Sequence, residues 1–203
     1  MTIYDKWAAT YNAEVGDEAQ EYVAPILVAQ YALKSCNNST KGAVAILDAG
    51  CGTGLVGQAL SLAGAKVIDG LDLSSPMLAV AKQTGVYRNL GQADLTRRIG
   101  KPDETYDIVT CVGTFTLGHV GPDPALREFV RVTRTNGIVA ATILDEIWVS
   151  GGFKAEVERL RAESLVKVVA EELIDYVKGH GDKAVLVILE KIDGGSTPSS
   201  DGS

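Results

Sequence analysis

The run Asp48-Ala49-Gly50-Cys51-Gly52-Thr53-Gly54 holds the densest chemical potential in this 203-residue sequence. Glycines at this spacing let the backbone turn tightly and let a ligand approach where a Cβ would clash. A helical pattern over about Leu55 to Leu62 follows at once, so unpaired N–H groups and a positive dipole end face the loop. The β-rich stretch Val44-Ala45-Ile46-Leu47 runs into it. The loop therefore sits at the C-terminal edge of a strand, where open α/β sheets bind ligands. Two acids stand at later strand ends. Asp72, 18 residues beyond Gly54, closes the strand Lys66 to Leu71 and can accept two hydrogen bonds from a ribose diol. Its alternative role is to open a turn or cap the next helix. Asp94, in Gly91-Gln92-Ala93-Asp94-Leu95, can accept from an adenine amino group while the Leu95 N–H donates to the ring. Its alternative is a solvated turn aspartate.

Gly52-Thr53-Gly54-Leu55-Val56-Gly57 is also a formal G-x-G-x-x-G, and Asp72 would suit the ribose of a nicotinamide dinucleotide. Three features oppose that reading. Asp48 places an anion where a pyrophosphate would lie, the length leaves no second domain for a hydride acceptor, and no Tyr is followed four residues later by Lys.

These residues need a scaffold, and the chain supplies one. Short apolar runs alternate with helical periodicity, the pattern of a mostly parallel sheet. The segment Tyr4 to about Tyr11 and then Asp17 to Ser35 reads as helical, with Tyr22, Ile26, Ala29 and Leu33 on one face. Ser74 or Ser75 caps a helix with Pro76 at its first position. Strand patterns follow at Tyr87 to Gln92 and Tyr106 to Val112. Asp123-Pro124 opens a helix carrying Leu126, Phe129 and Val130. Asn136-Gly137 is expected to end it before a strand over Ile138 to Leu144. A helix over Phe153 to Ala162 precedes two strands, Leu165 to Tyr176 and Ala184 to Ile192. Their joint, Lys178 to Asp182, is too short for a crossover helix, so they should pair antiparallel. Gly194 to Ser203 reads as a disordered tail.

Composition narrows the class of function. With 19 Lys+Arg against 26 Asp+Glu, the formal net charge is −7, a poor match to nucleic-acid phosphates. Cys36, Cys51 and Cys111 form no C-x-x-C pair and no Cys/His cluster, so neither disulfide framework nor zinc site is indicated. The opening residues lack a signal-peptide layout and no run of apolar residues is long enough to span a membrane. A cytoplasmic location is expected, with no metal, no nucleic acid and no membrane, as a monomer or homodimer.

Taken in order and spacing, Asp48 to Gly54, Asp72 and Asp94 resemble the nucleotide motifs of class I S-adenosylmethionine-dependent methyltransferases. Tyr4-Asp5-Lys6-Trp7-Ala8-Ala9-Thr10-Tyr11-Asn12, Leu47 to Gly57, Gly70 to Ser75 and Val112 to Val120 further resemble the methyltransferase-like proteins named for the Williams–Beuren syndrome region. The resemblance implies a Rossmann-like three-layer αβα sandwich, with a seven-stranded, mostly parallel sheet and one antiparallel strand near its edge. Residues 1–193 would form a single domain, with 1–41 as a helical lid and 42–193 as the core.

The resemblance also implies roles. Gly50, Cys51, Gly52 and Gly54 would lie against the methionine part of the cofactor. Asp48 would orient the loop and, directly or through water, the cofactor's amino group. Asp72 would hold the ribose, Leu73 and Met77 would flank the adenine, and Asp94 and Leu95 would read its edge, with Val112 nearby. Tyr4, Trp7 and Tyr11 would exclude water, Tyr11 reaching the cofactor. The acceptor side would include Tyr4, Phe115, His119, Glu146 and Trp148. His119 is the candidate general base, its alternative being a histidine bonded to nearby backbone. The expected activity is methyl transfer to a small-molecule acceptor, at O or N sooner than S or C. The alternative is a non-catalytic protein that holds S-adenosylmethionine or S-adenosylhomocysteine as a regulator or partner subunit.

Overall fold

The computed structural model describes residues 23–36, 44–176 and 181–193. Strands β1 (Ala45–Ala49), β2 (Val67–Asp72), β3 (Asn89–Gln92), β4 (Tyr106–Phe115), β5 (Thr133–Leu144), β6 (Val166–Asp175) and β7 (Lys183–Lys191) form one sheet. Its order is β3-β2-β1-β4-β5-β7-β6. The pairs from β3 through β5 are parallel, whereas β7 runs antiparallel to both β5 and β6. The fold is thus the expected Rossmann-like sheet, with its antiparallel strand one place in from the edge.

Helices cover both faces. On one side α1 (Ala24–Ser35) and α2 (Leu55–Leu62) pack over Ile46, Ile68, Ile108, Ile138 and Ile188. On the other side α4 (Ala125–Val132) and α6 (Phe153–Ala162) close over Leu47, Val109, Cys111, Val139 and Leu189. The remaining helices are α3 (Ser75–Gln83), after β2, and the single turn α5 (Asp145–Trp148). Successive residues of β1 and β4 divide between the two clusters, as a strand's period of two requires. Rows of side chains therefore run across the sheet. Asp48 lies opposite Gly70 on β2 and opposite Thr110 on β4.

Several boundaries differ from expectation for identifiable reasons. The helix after Pro124 ends at Val132, because Thr133 is already extended and joins β5. Asn136 and Gly137 lie inside that strand at a register shift against β4, with Asn136 in the left-handed region. A Cβ at Gly137 would lie 2.7 Å from the Asp107 carbonyl, so the strand can pass there only as glycine. The bulge took the place of a helix stop. Pro76 stands at the second helical position, behind Ser74, whose hydroxyl accepts from the Met77 N–H. The strand expected from Tyr87 begins only at Asn89, because the Tyr87 side chain turns back over β2. In α1 the buried face is Ala24, Pro25, Val28, Ala29, Ala32 and Leu33, rotated from the expected one.

Candidate active site

The chain turns sharply where β1 meets α2. Gly50 and Cys51 both donate to the Leu71 carbonyl, at 2.7 and 2.9 Å, which staples the loop to the end of β2. Gly50, Gly52 and Gly54 all have positive φ, at 75°, 52° and 101°. Their freedom serves different ends. A Cβ on Gly50 would fall 2.0 Å from Thr114 Oγ1, so this glycine admits the end of β4. A Cβ on Gly52 would meet nothing within 4 Å among the described residues, so its bare side opens outward. Gly54 is the residue before α2, and its left-handed turn aims the helix start at the loop.

Asp72 ends β2 beside this opening. Its Oδ2 accepts the Gly52 N–H and its Oδ1 accepts the Ser74 N–H, both at 2.8 Å. One carboxylate thus ties the glycine loop to the start of α3. Each oxygen keeps lone-pair capacity for a further donor, since a carboxylate offers about four acceptor sites. The next residue, Leu73, is 64% exposed, and Met77, one turn into α3, is 45% exposed. Gln92, at the end of β3, donates its side-chain amide to the Leu73 carbonyl at 2.8 Å and fixes that corner. An open-sided glycine, a carboxylate with spare acceptors and two exposed apolar side chains suit a cofactor carrying a ribose and a flat base.

Asp94 is more occupied than the sequence suggested. Its Oδ1 accepts from the Thr96 N–H and hydroxyl, at 2.9 and 2.6 Å, while Arg97 lies 3.3 Å from its Oδ2. The Thr96 hydrogen bonds and Arg97 hold its carboxyl below the usual range. Leu95 turns its side chain into the core beneath.

Asp48 requires a correction. The residue is 0% exposed, so its carboxylate cannot touch a ligand in the cradle. The physical reason is the parity of β1: Asp48 points under α2, in the row with Gly70 and Thr110. Tyr87 donates its hydroxyl to Asp48 Oδ2 at 2.7 Å, and Thr110 Oγ1 lies 3.2 Å from Oδ1. Burial pushes its pKa up to about 6, against the lowering effect of the Tyr87, Thr110 and Gly57 hydrogen bonds. Burial also raises the Cys51 thiol, with Asp48 and Asp72 adding to it, so this cysteine stays a protonated wall residue. Val112 packs inward among the α1 and α2 side chains.

The acceptor side departs further. Phe115 is 1% exposed and sits between two rings, 4.8 Å from Phe153 and 5.9 Å from Phe129. Trp148, 6% exposed, belongs to the same cluster. Both were expected to line the acceptor; both are core, because the end of β4 and the turn α5 close over α6. His119 is exposed and lines a cavity of about 320 Å³ with Thr116, Leu117, Val120, Ser150 and Gly151. The Thr116 hydroxyl and His119 Nδ1 share a short hydrogen bond. Glu146 lines a different cavity, of about 420 Å³, with Asp145, Tyr176, Asp182 and Lys183. The two candidates do not share one recess. Tyr4, Trp7 and Tyr11 lie outside the described residues, as does the 194–203 segment.

Three contributors went unread in the sequence: Tyr87, Thr110 and Thr114. No local signal marks them, since each acts through a neighbour distant in the chain. Among the described residues no group of three or more His, Cys, Asp or Glu is placed to hold a metal ion. No helix among them is long and apolar enough to cross a membrane.

Known proteins resemble this chain in sequence and in fold. Residues 47–141 match a family model described as a methyltransferase domain. Methyltransferase-like protein 27 of Homo sapiens is 34% identical over 143 residues, covering 70% of this chain and 56% of that one. Ubiquinone biosynthesis O-methyltransferase of Aliivibrio fischeri is 31% identical over 152 residues, 72% of this chain and 62% of that one. The chain therefore spans less than two thirds of the length of these curated relatives. A TehB-like S-adenosylmethionine-dependent methyltransferase from Corynebacterium glutamicum has the same fold, with TM-score 0.64, 22% identity and coverage of 93% and 96%. Residues 47–141 thus form a methyltransferase domain, and the chain has the fold of a class I S-adenosylmethionine-dependent methyltransferase.

Proposed function

We propose that the chain transfers the methyl group of S-adenosylmethionine to an oxygen or nitrogen of a small-molecule acceptor. The observation that carries this reading is the cradle at the β1–α2 turn, with Gly52 open on its Cβ side and bonded through its N–H to Asp72. The relative named as an O-methyltransferase favours oxygen. When bound, the cofactor supplies a methyl group activated on a sulfonium sulfur.

The chain's own residues bind, orient and exclude water. The backbone of Gly50, Cys51, Gly52 and Gly54 lies against the methionine part, and the free carboxylate lone pairs of Asp72 take the ribose hydroxyls. Leu73 and Met77 flank the base, while Asp94 and Leu95 face its edge. Asp48 acts beneath the loop instead of on the ligand. His119 takes up the acceptor's proton at Nε2 when its Nδ1 carries the hydrogen and donates to Thr116. Methyl transfer depends chiefly on alignment in a dry site, so the positioning groups matter more than any base. Tyr4, Trp7 and Tyr11 serve to shield the site, while α1, also within the first 41 residues, belongs to the layer packed on the sheet, and residues 1–193 work as one domain.

The test is incubation with a radiolabelled methyl donor and a small-metabolite extract. A labelled small product supports the enzyme. Tight binding of S-adenosylhomocysteine with no labelled product supports the non-catalytic alternative. Absence of both overturns the assignment.

A further inference from the structure

Tyr87 occupies a slot cut by three glycines from two elements. An ideal Cβ on Gly57, inside α2, would lie 2.3 Å from both Cζ and the hydroxyl of Tyr87. One on Gly70, in β2, would lie 3.0 Å from its Cε1, and one on Gly54 would lie 3.2 Å from its Cε2. The ring thus spans from β2 to the first turn of α2. Gly57, the last glycine of the formal G-x-G-x-x-G, is explained by this ring and not by a dinucleotide. At the end of the slot the hydroxyl meets the buried Asp48 carboxylate, which also accepts from Thr110 Oγ1.

We infer that Tyr87 is a positioning residue for the cofactor loop: its ring, anchored by the ionised Asp48, sets the start of α2, and cofactor affinity falls when Asp48 takes up a proton. This rests on the cofactor reading of the cradle. The physical chain is short. An ionised carboxylate accepts the Tyr87 and Thr110 hydroxyls together. A protonated one carries a hydrogen of its own and must release or turn one of those donors, at a carboxyl closed off from bulk solvent. The Tyr87 ring packs against both Gly57 and Gly54, so a shift of the ring moves the turn that shapes the cradle. Among the described residues, the titratable groups coupled to Asp48 are Tyr87 ahead of β3, Asp72 at the end of β2, Cys51 in the loop and, across the sheet, Cys111 on β4. Burial raises Tyr87, Cys51 and Cys111, Cys111 to about 12, so these three stay neutral across the range tested. The Asp72 charge pushes Asp48 toward protonation, which links the two acids of the site.

The experiment is calorimetric titration of S-adenosylhomocysteine between pH 5 and 8 into the full chain, Tyr87→Phe and Tyr87→Leu. The wild type should lose affinity as pH falls through about 6, approaching tenfold per pH unit below it. Tyr87→Phe keeps the ring in its slot and removes only one of the hydrogen bonds that lower the Asp48 pKa. Its loss of affinity should therefore begin at higher pH, by about one unit. Tyr87→Leu should weaken binding at every pH, because the slot is no longer filled. A Tyr87→Phe profile that superimposes on the wild type overturns the coupling and leaves Tyr87 a packing residue. Wild-type affinity that is flat from pH 5 to 8 also overturns it. Absence of wild-type binding at every pH would instead overturn the cofactor reading on which it rests. Where Tyr87→Leu fails to fold, the Tyr87→Phe comparison still decides.

Discussion

Asp72 Oδ2 accepts the Gly52 N–H at 2.8 Å, joining the end of β2 to the loop that leaves β1. The two residues are 20 apart in sequence, and parallel pairing of β1 with β2 brings them together. The same carboxylate holds the Ser74 N–H, so one side chain sets the mutual position of the glycine loop and the start of α3. A ligand seated across that gap would meet a rigid acceptor already turned outward, which is how preorganisation lowers the cost of binding.

Gly50 and Gly52 should respond differently to alanine. Gly50→Ala drives a Cβ to 2.0 Å from Thr114 Oγ1 at a φ of 75°, so both overlap and backbone strain destabilise the fold. About 3 kcal/mol is expected, measured by urea unfolding. Gly52→Ala meets open space at a φ of 52° and should cost only about 1 kcal/mol. Its methyl group points into the cradle, however, so S-adenosylhomocysteine affinity should drop more than tenfold. Equal stability loss in the two variants would contradict the division of roles.

Asp48 should leave a signature in stability against pH. Its folded pKa is raised from 3.8 to about 6 by burial, so the folded chain holds the proton more tightly than the unfolded one. The stabilisation from this group is therefore fully present below about pH 4 and lost as pH rises through about 6, up to about 3 kcal/mol in all. Asp48→Asn does not titrate. The stability difference between wild type and Asp48→Asn should thus move in favour of the wild type as pH is lowered from 7 to 4. Parallel stability curves would contradict an ionised, buried Asp48.

The cradle was legible in the sequence because its parts are local. Glycines, the cap at Ser74 and the acids at strand ends each announce themselves within a few residues, and the antiparallel β6–β7 pair follows from its short joint. What was not legible depends on parity and on distant neighbours. Asp48 faces under α2 because of where β1 starts, a matter of one residue, and Tyr87 reaches it from 39 residues away. Phe115 and Trp148 look alike in sequence to pocket aromatics, and only the closure of α6 over β4 shows them to be core. Asn136-Gly137 carries an ordinary helix-stop signal that the sheet overrides with a bulge.

His119 should separate chemistry from binding. His119→Ala should leave S-adenosylhomocysteine affinity intact, because the residue lies in the cavity beyond β4 and not at the glycine loop. Turnover of the acceptor found by the labelling assay should fall by about 10²–10⁴-fold if Nε2 takes the proton. Thr116→Val, which removes the partner of Nδ1, should lower turnover in the same direction by loosening the ring. A rise in KM at unchanged kcat would instead make His119 an acceptor-positioning residue.

Whether the methyl-donor cofactor binds at the Gly52–Asp72 cradle is tested most directly by calorimetric titration of S-adenosylhomocysteine into wild type and Asp72→Ala. The wild type should bind S-adenosylhomocysteine and not NAD, and Asp72→Ala should weaken binding by about 1.5–3 kcal/mol through loss of charged hydrogen bonds. Unchanged affinity in Asp72→Ala, or preference of the wild type for NAD, would contradict binding there.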